Sequence, residues 1–215
     1  MIERLVPSDV ASFETREELI EVELSPEELA SLGQPVEKRR REFVTGRACA
    51  RRALEKLGVD PVPIANGERG EPLWPPGIVG SITHCSSYRG CAVARSRTIS
   101  SIGIDAEVHE PLPPGVLETV ASAAERGRIG AADAGTHLDK VLFCAKEAVY
   151  KAWFPLTGEW LGFEDVDMTF DLTDRAFSAR LLVPSPIVGG RELTHFDGRW
   201  EVDESTVLTA VIVPI

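Results

Sequence analysis

The stretch "ISSIGIDAE", residues 99–107, decides how the rest of the chain is read. It opens β-branched and apolar, carries a central glycine, and ends in Asp105 and Glu107 at positions i and i+2. That composition, bounded by polar residues, predicts a strand. Alternate side chains of a strand point the same way, so the two carboxylates share one face. Like charges held so close repel and raise each other's pKa. Such a pair is either a strand end entering a polar loop or half of a charged site.

Working outward, "GIVGSITH" (77–84) and "GCAVAR" (90–95) have the same short, β-branched, glycine-punctuated character and predict two more strands. A helix is expected over 25–33, with Ser25 as N-cap, Pro26 at the first helical position and Glu28 completing a capping box. A longer helix is expected over 36–57, where Phe43, Ala50, Leu54 and Leu57 form an apolar stripe and Gly58 marks the stop. At helical spacing Arg47 lies beside that stripe and Arg51 slightly farther round, where a helix meets its neighbours.

Downstream, Leu138, Val141, Ala145, Ala148 and Ala152 recur at helical spacing and predict a helix over 137–153. Strands are expected near 163–170, 176–183, 194–202 and 206–213. "FDGRW" (196–200) carries an Asp-Gly hairpin signal, and "ERGRIGAADAG" (125–135) is the most loop-like stretch. Helix-then-strands, twice over, predicts an α+β protein of two similar halves, residues 1–100 and 101–215. Their junction near 95–101 is too short for a flexible linker, so the halves should pack closely.

A chain of 215 residues supports a substantial core, and 43% hydrophobic with 27% charged residues is ordinary for a soluble globular protein. No apolar run approaches the roughly 20 residues needed to span a bilayer, and "MIERLVPSDV" lacks the features of a signal peptide. The four cysteines show no CxxC pairing and read as reduced thiols of a cytoplasmic protein. A net charge of −11 argues against general nucleic-acid binding. Between 38 and 56, however, Lys38, Arg39, Arg40, Arg41, Arg47, Arg51, Arg52 and Lys56 oppose only Glu42 and Glu55, a local basic segment that suggests an anionic partner, although most of these side chains read as a solvated helix face.

A second segment bears on chemistry: Lys146-Glu-Ala-Val-Tyr-Lys151. Glu147 and Lys151 are spaced i, i+4 and share a helix face, alone no more than a surface ion pair. Together with Asp105 and Glu107, Glu147 makes three carboxylates able to bind one hard divalent cation. Mg²⁺ prefers oxygen ligands and often completes its shell with substrate phosphates. Lys151 would then neutralise a phosphate nearby. The histidines and cysteines lack zinc-ligand spacing. A Mg²⁺-dependent nuclease is the alternative use of such a cluster, disfavoured by the acidic net charge; a catalytically silent nucleotide-binding module is a third.

"REFVTGRACARRAL" (41–54), "GEPLWPPGIVGSITHC" (70–85), "GIDAE" (103–107) and "FCAKEAVYKAWFPLTGEWLGFEDV" (143–166) resemble, in their order, the 4'-phosphopantetheinyl transferases. The likeness covers roughly residues 36–170 and is closest to the surfactin-synthetase type, in its enterobactin-synthase-associated branch. The resemblance implies transfer of the phosphopantetheine arm of coenzyme A to a serine of an apo acyl or peptidyl carrier protein, of fatty-acid, polyketide or non-ribosomal peptide synthases. The products are the holo carrier and adenosine 3',5'-bisphosphate. It also implies a monomeric pseudodimer of two α+β halves, with coenzyme A in the cleft between them and no nucleic-acid or membrane partner.

Carried over by position, Asp105, Glu107 and Glu147 match the family's Mg²⁺ ligands, with Mn²⁺ as an alternative ion. Glu147 also matches the general base toward the serine, directly or through a water. Lys151 matches the lysine near the pyrophosphate. Arg47, Arg51, Arg69, His84, Ser81 and Thr83 fall where relatives contact coenzyme A. Many relatives carry lysine just before the proline of "GEP", where this chain has Glu71, and Arg69 is read as supplying that charge. Among Trp153, Phe154, Trp160 and Phe163, at least one is expected to meet the carrier.

Overall fold

The computed structural model describes residues 1–19, 22–132 and 136–215. Strand β1 (Val10–Thr15) precedes helices α1 (Pro26–Leu32) and α2 (Glu37–Lys56) and the hairpin of β2 (Ile78–Cys85) and β3 (Tyr88–Arg95). These strands form one antiparallel sheet in the order β1-β3-β2. Then come β4 (Ile99–Val108), α3 (Val116–Val120), α4 (Ala123–Ala132) and α5 (Leu138–Thr157). The chain ends with β5 (Val166–Asp171), β6 (Ala176–Leu181), the short ribbon β7 (Ile187–Val188) and β8 (Arg191–Glu192), β9 (His195–Val202) and β10 (Thr206–Pro214). The second sheet runs β4-β10-β9-β6-β5, again antiparallel. The mixed helix-and-strand architecture is the one predicted. No helix among the described residues is long and apolar enough to cross a membrane.

Local chemistry accounts for most boundaries. The Ser25 hydroxyl accepts from the Glu28 amide, and the Glu28 carboxylate accepts from the Ser25 amide, which starts α1 as expected. Two expectations are corrected. Residues 123–132 are helical, not a loop, because Ser122 and Glu125 form a second capping box that outweighs the two glycines; residues 133–135 of that stretch lie outside the described residues. Asp197-Gly198 does not turn: it sits inside β9, opposite Ser178 and Phe177. A Cβ on Gly198 would lie 2.1 Å from the Phe177 ring, so the glycine makes room for an aromatic rather than a bend. The true turn between β9 and β10 is built by Asp203, whose Oδ1 accepts from the amides of Ser205 and Thr206, both at 3.0 Å.

β4 is the strand that organises the molecule. One face, with Ile102, Ile104 and Ala106, joins Ile2, Leu5, Tyr88 and Leu208 in a core between the two sheets. The other face, with Ser101, Gly103 and Asp105, meets α5. The approach is close enough that a Cβ on Gly103 would lie 1.9 Å from the Ala148 carbonyl oxygen. The small residues Ala145, Ala148 and Ala152 bury completely on the helix side. Hydroxyls complete the contact: Ser101 Oγ donates to the Ala152 carbonyl at 2.7 Å and Thr209 Oγ1 to the Cys144 carbonyl at 2.9 Å. One edge of β4 pairs with β10. On its other side the amides of Ile104 and Ala106 donate to Ser81 Oγ (3.1 Å) and Thr83 Oγ1 (2.8 Å) of β2. Side-chain hydroxyls thus stitch the first sheet to the second.

Candidate active site

The close packing of α5 on β4 brings together the carboxylates that the sequence separates. Asp105 is 6% exposed. Its Oδ1 accepts from Lys151 Nζ at 2.7 Å and from Thr83 Oγ1 at 3.3 Å, while its Oδ2 is buried with no hydrogen-bond partner. Lys151 therefore reaches across to the strand rather than pairing with Glu147 one turn back. Burial works against the Lys151 ammonium, but the charge and hydrogen bond of Asp105, with Glu147 adding, outweigh it and raise its pKa. Glu107, on the same face of β4, lies 3.5 Å from Lys140 of α5. Glu147 makes no hydrogen bond or ion pair among the described residues and lines a cleft. Burial and then the charge of Asp105 raise the pKa of both Glu107 and Glu147. Among the described residues, no three His, Cys, Asp or Glu side chains form a ready-made cation cage. Electrostatics accounts for this: like charges do not converge by themselves, and Lys151 and Lys140 pair with two of the three.

Two cavities meet at Lys151. The larger, about 690 Å³, is lined by the 69–74 loop, by β2, and by Glu147, Tyr150, Lys151 and Phe154 of α5. The smaller, about 300 Å³, is lined by Arg39, Arg47, Asn66, Thr83, His84 and Lys151 among others. Gly70, Pro72 and Ile82 border both. A comparable groove of about 720 Å³, between residues 4–7 and Ser178, Arg199 and Ala210, holds none of these groups and lies apart from the carboxylates.

The other residues singled out by sequence divide. Arg47 is 5% exposed. Its Nε donates to the Ile64 carbonyl at 2.6 Å, its Nη2 to Asn66 Oδ1 at 2.5 Å, and it lies 4.1 Å over the Phe43 ring. Burial pushes its pKa down to about 10. His84 Nε2 accepts from Arg39 Nη1 at 3.1 Å, and burial together with the Arg39 and Lys151 charges holds it below the ordinary histidine range, despite Glu42 at 3.8 Å. Arg69 sits at the larger cleft, 5.9 Å over Phe154, and Glu71 turns back to accept from the Arg69 amide. Arg51 lines neither cavity; its guanidinium is tied to Glu28 at 2.5 Å and to the Glu23 carbonyl at 3.0 Å. Ser81 and Thr83 are buried in the seam with β4, although each touches a cavity wall.

Two residues were missed. Arg39 and Asn66 share the smaller cavity with Arg47. Arg39, Phe43 and Arg47 are spaced i, i+4, i+8, a signal that would have placed Arg39 on the ligand side of α2. Asn66 gave no signal, since only the fold brings its loop to α2. Of the aromatics, Trp153 is core, 3% exposed, and donates to the Glu159 carbonyl. Phe163 packs on Phe143, and Phe154 lines the larger cleft. Trp160 is 67% exposed and lies 4.9 Å from Tyr150 at the cleft.

The chain is similar to known proteins along most of its length. Residues 26–94 match the family model of the 4'-phosphopantetheinyl transferase N-terminal domain, and residues 101–205 match that of the 4'-phosphopantetheinyl transferase superfamily. The chain is 48% identical to the 4'-phosphopantetheinyl transferase Npt of Nocardia iowensis, over 98% of this chain and 99% of that one. It is 49% identical to PptT of Mycobacterium tuberculosis, over 87% and 85%. Enterobactin synthase component D of Escherichia coli is more distant, 34% identical over 57% of this chain and 59% of its own.

Proposed function

The chain belongs to the 4'-phosphopantetheinyl transferase superfamily and transfers phosphopantetheine from coenzyme A to carrier proteins, and from that premise we propose a Mg²⁺-dependent mechanism run from the β4–α5 contact. The observation that carries it is the buried, unpartnered Oδ2 of Asp105, whose charge acts on both Glu107 and Glu147. The donor set fits the ion. It is all oxygen and hard, and its mutual repulsion is the cost a cation removes. Asp105, Glu107 and Glu147 would hold Mg²⁺, or Mn²⁺, whose chemistry here is charge neutralisation at the pyrophosphate.

The chain's own groups supply the rest. Arg47, Arg39 and His84 bind coenzyme A phosphates in the smaller cavity, with Arg47 oriented by Asn66 and Ile64. Lys151, at the junction of both cavities, sits beside the pyrophosphate. Glu147, with no side-chain partner among the described residues and a raised pKa, accepts the proton of the carrier serine, directly or through a water, a role that competes with holding the ion because a metal-bound carboxylate is a poor base. The serine oxygen bonds to the phosphorus that carries the pantetheine arm. The bond from that phosphorus to the bridging oxygen breaks, and adenosine 3',5'-bisphosphate leaves with its charge stabilised by Lys151. The apolar wall of Trp74, Tyr150 and Phe154 excludes water around the arm.

The reading extends to a pseudodimer of halves 1–100 and 101–215 with this cleft between them. It extends also to the surfactin-synthetase type, to a monomer working in the cytoplasm, and to carriers of fatty-acid, polyketide or peptide synthases docking near Trp160. No observation in the structure favours the nuclease alternative. The test is mass spectrometry of apo carriers incubated with coenzyme A, Mg²⁺ and the protein. A gain of one phosphopantetheine is expected, and Glu147→Gln should abolish it while leaving the melting curve in place. Full transfer in excess chelator would sink the metal assignment.

A further inference from the structure

Arg51 is committed to the interior, and what it holds there leads back to the smaller cavity. Glu28 is 0% exposed on α1. Its carboxylate accepts from the Ser25 amide (2.8 Å), from Arg51 Nη2 (2.5 Å) and from the Ile64 amide (3.1 Å). The carbonyl of the same Ile64 accepts from Arg47 Nε. The backbone of Ile64 is therefore gripped on one side by Glu28 and on the other by Arg47. Two residues on, Asn66 accepts from Arg47 and bridges to Pro72, while the Leu73 amide donates to the Ala65 carbonyl at 2.9 Å. These contacts close the loop that carries Arg69, Glu71 and Trp74 into the larger cleft.

Taking the smaller cavity as the coenzyme A site proposed above, we infer that Glu28 and Arg51 are positioning residues, setting coenzyme A affinity by fixing the Arg47 guanidinium and the 64–73 loop. A guanidinium has five N–H donors in a rigid fork. Anchoring Nε and one Nη2 hydrogen on Ile64 and Asn66 aims the remaining donors in one direction. Glu28 supports that anchor from behind, and its charge is itself held by Arg51. A hydrogen-bonded network around a buried carboxylate rigidifies what it touches, and removing one member leaves an uncompensated charge.

The test is steady-state transfer and direct coenzyme A binding by Glu28→Gln, Arg51→Met and Arg51→Lys, with thermal unfolding of each and Arg47→Ala as reference. The coenzyme A KM and Kd of Glu28→Gln and Arg51→Met should rise about tenfold, as displaced binding groups do. Carrier KM, and kcat at saturating coenzyme A, should stay within about twofold. Arg51→Lys should recover part of the loss. Folded variants that bind coenzyme A as tightly as the unmodified protein overturn the inference, as does a fall in kcat with no change in KM. If Glu28→Gln does not fold, the two Arg51 variants decide alone, since Glu28 there keeps both backbone donors. If Arg47→Ala binds coenzyme A normally, the cavity assignment fails and this inference with it. If Arg47→Ala loses affinity while Glu28→Gln and Arg51→Met do not, only the positioning role fails.

Discussion

Gly103→Ala tests whether the site depends on the closeness of α5 to β4. The added methyl would lie 1.9 Å from the Ala148 carbonyl oxygen and 2.7 Å from the Ala152 amide nitrogen, where ordinary contact begins at 3.4 Å. Both obstacles are backbone, so no rotamer relieves the clash, and the helix must retreat by about 1.5 Å, an overpacking that costs on the order of 3 kcal/mol. For a chain of this size the unfolding midpoint should fall by roughly 6–12 °C. The larger effect is on rate. Glu147 and Lys151 ride on the displaced helix, and Lys151 now sits 2.7 Å from Asp105. A misplacement near 1 Å costs about 100-fold in kcat. Ser101→Ala removes a tether of the same helix without adding volume, and should cost about 1 kcal/mol with activity largely kept. Calorimetry and a holo-carrier assay on the two variants decide the matter. A Gly103→Ala protein that melts and turns over like the unmodified one would refute the reasoning.

Other expectations concern stability, pH and docking. Lys146 and Glu125 form an ion pair at 3.0 Å with both side chains 1% exposed; Lys146→Met strands the Glu125 charge and should cost about 3–5 kcal/mol in urea unfolding, with part recovered by adding Glu125→Gln. Burial alone would raise the Asp203 pKa, but the Ser205 and Thr206 amides and Arg16 hold it below the ordinary value. A depressed pKa stabilises the fold above the unfolded value of ~3.9, and that contribution is lost as pH falls through the folded value. Asp203→Asn should therefore flatten stability against pH in that acid window, and an unchanged slope would count against the turn's role. Trp160→Ala should raise carrier KM several-fold while leaving coenzyme A KM alone; equal carrier KM in titrations would remove Trp160 from the docking surface.

Much of the fold was legible because it rests on periodicity. The stripe of α2, the small-residue face of α5 and the strands from "GIVGSITH" onward lie where spacing puts them. The i, i+2 pair of β4 also shares the face that alternation requires. What failed was chemistry that local sequence leaves ambiguous. Asp197-Gly198 is as good a turn as it is a slot for Phe177, and only the cross-strand neighbour decides. Two glycines hid the capping box of α4. Arg51 beside an apolar stripe reads alike whether it awaits a ligand or neutralises Glu28, since the partner comes from another helix. Ser81 and Thr83 fall where relatives contact coenzyme A, but here their hydroxyls accept from amides of the neighbouring sheet.

That row of hydroxyls behaves as a keyed joint. A backbone ladder would tolerate several sliding offsets between the sheets, whereas here the hydrogen bonds come only from alternate side chains. Shifting β2 by one residue would set the Ile82 methyls against β4 amides that need acceptors. Shifting by two would restore the spacing but displace Thr83 about 7 Å from Asp105. Translation along the joint is thus blocked in small steps and ruinous in large ones. The register that joins the two sheets is therefore the same register that holds Thr83 beside the Asp105 carboxylate it supports.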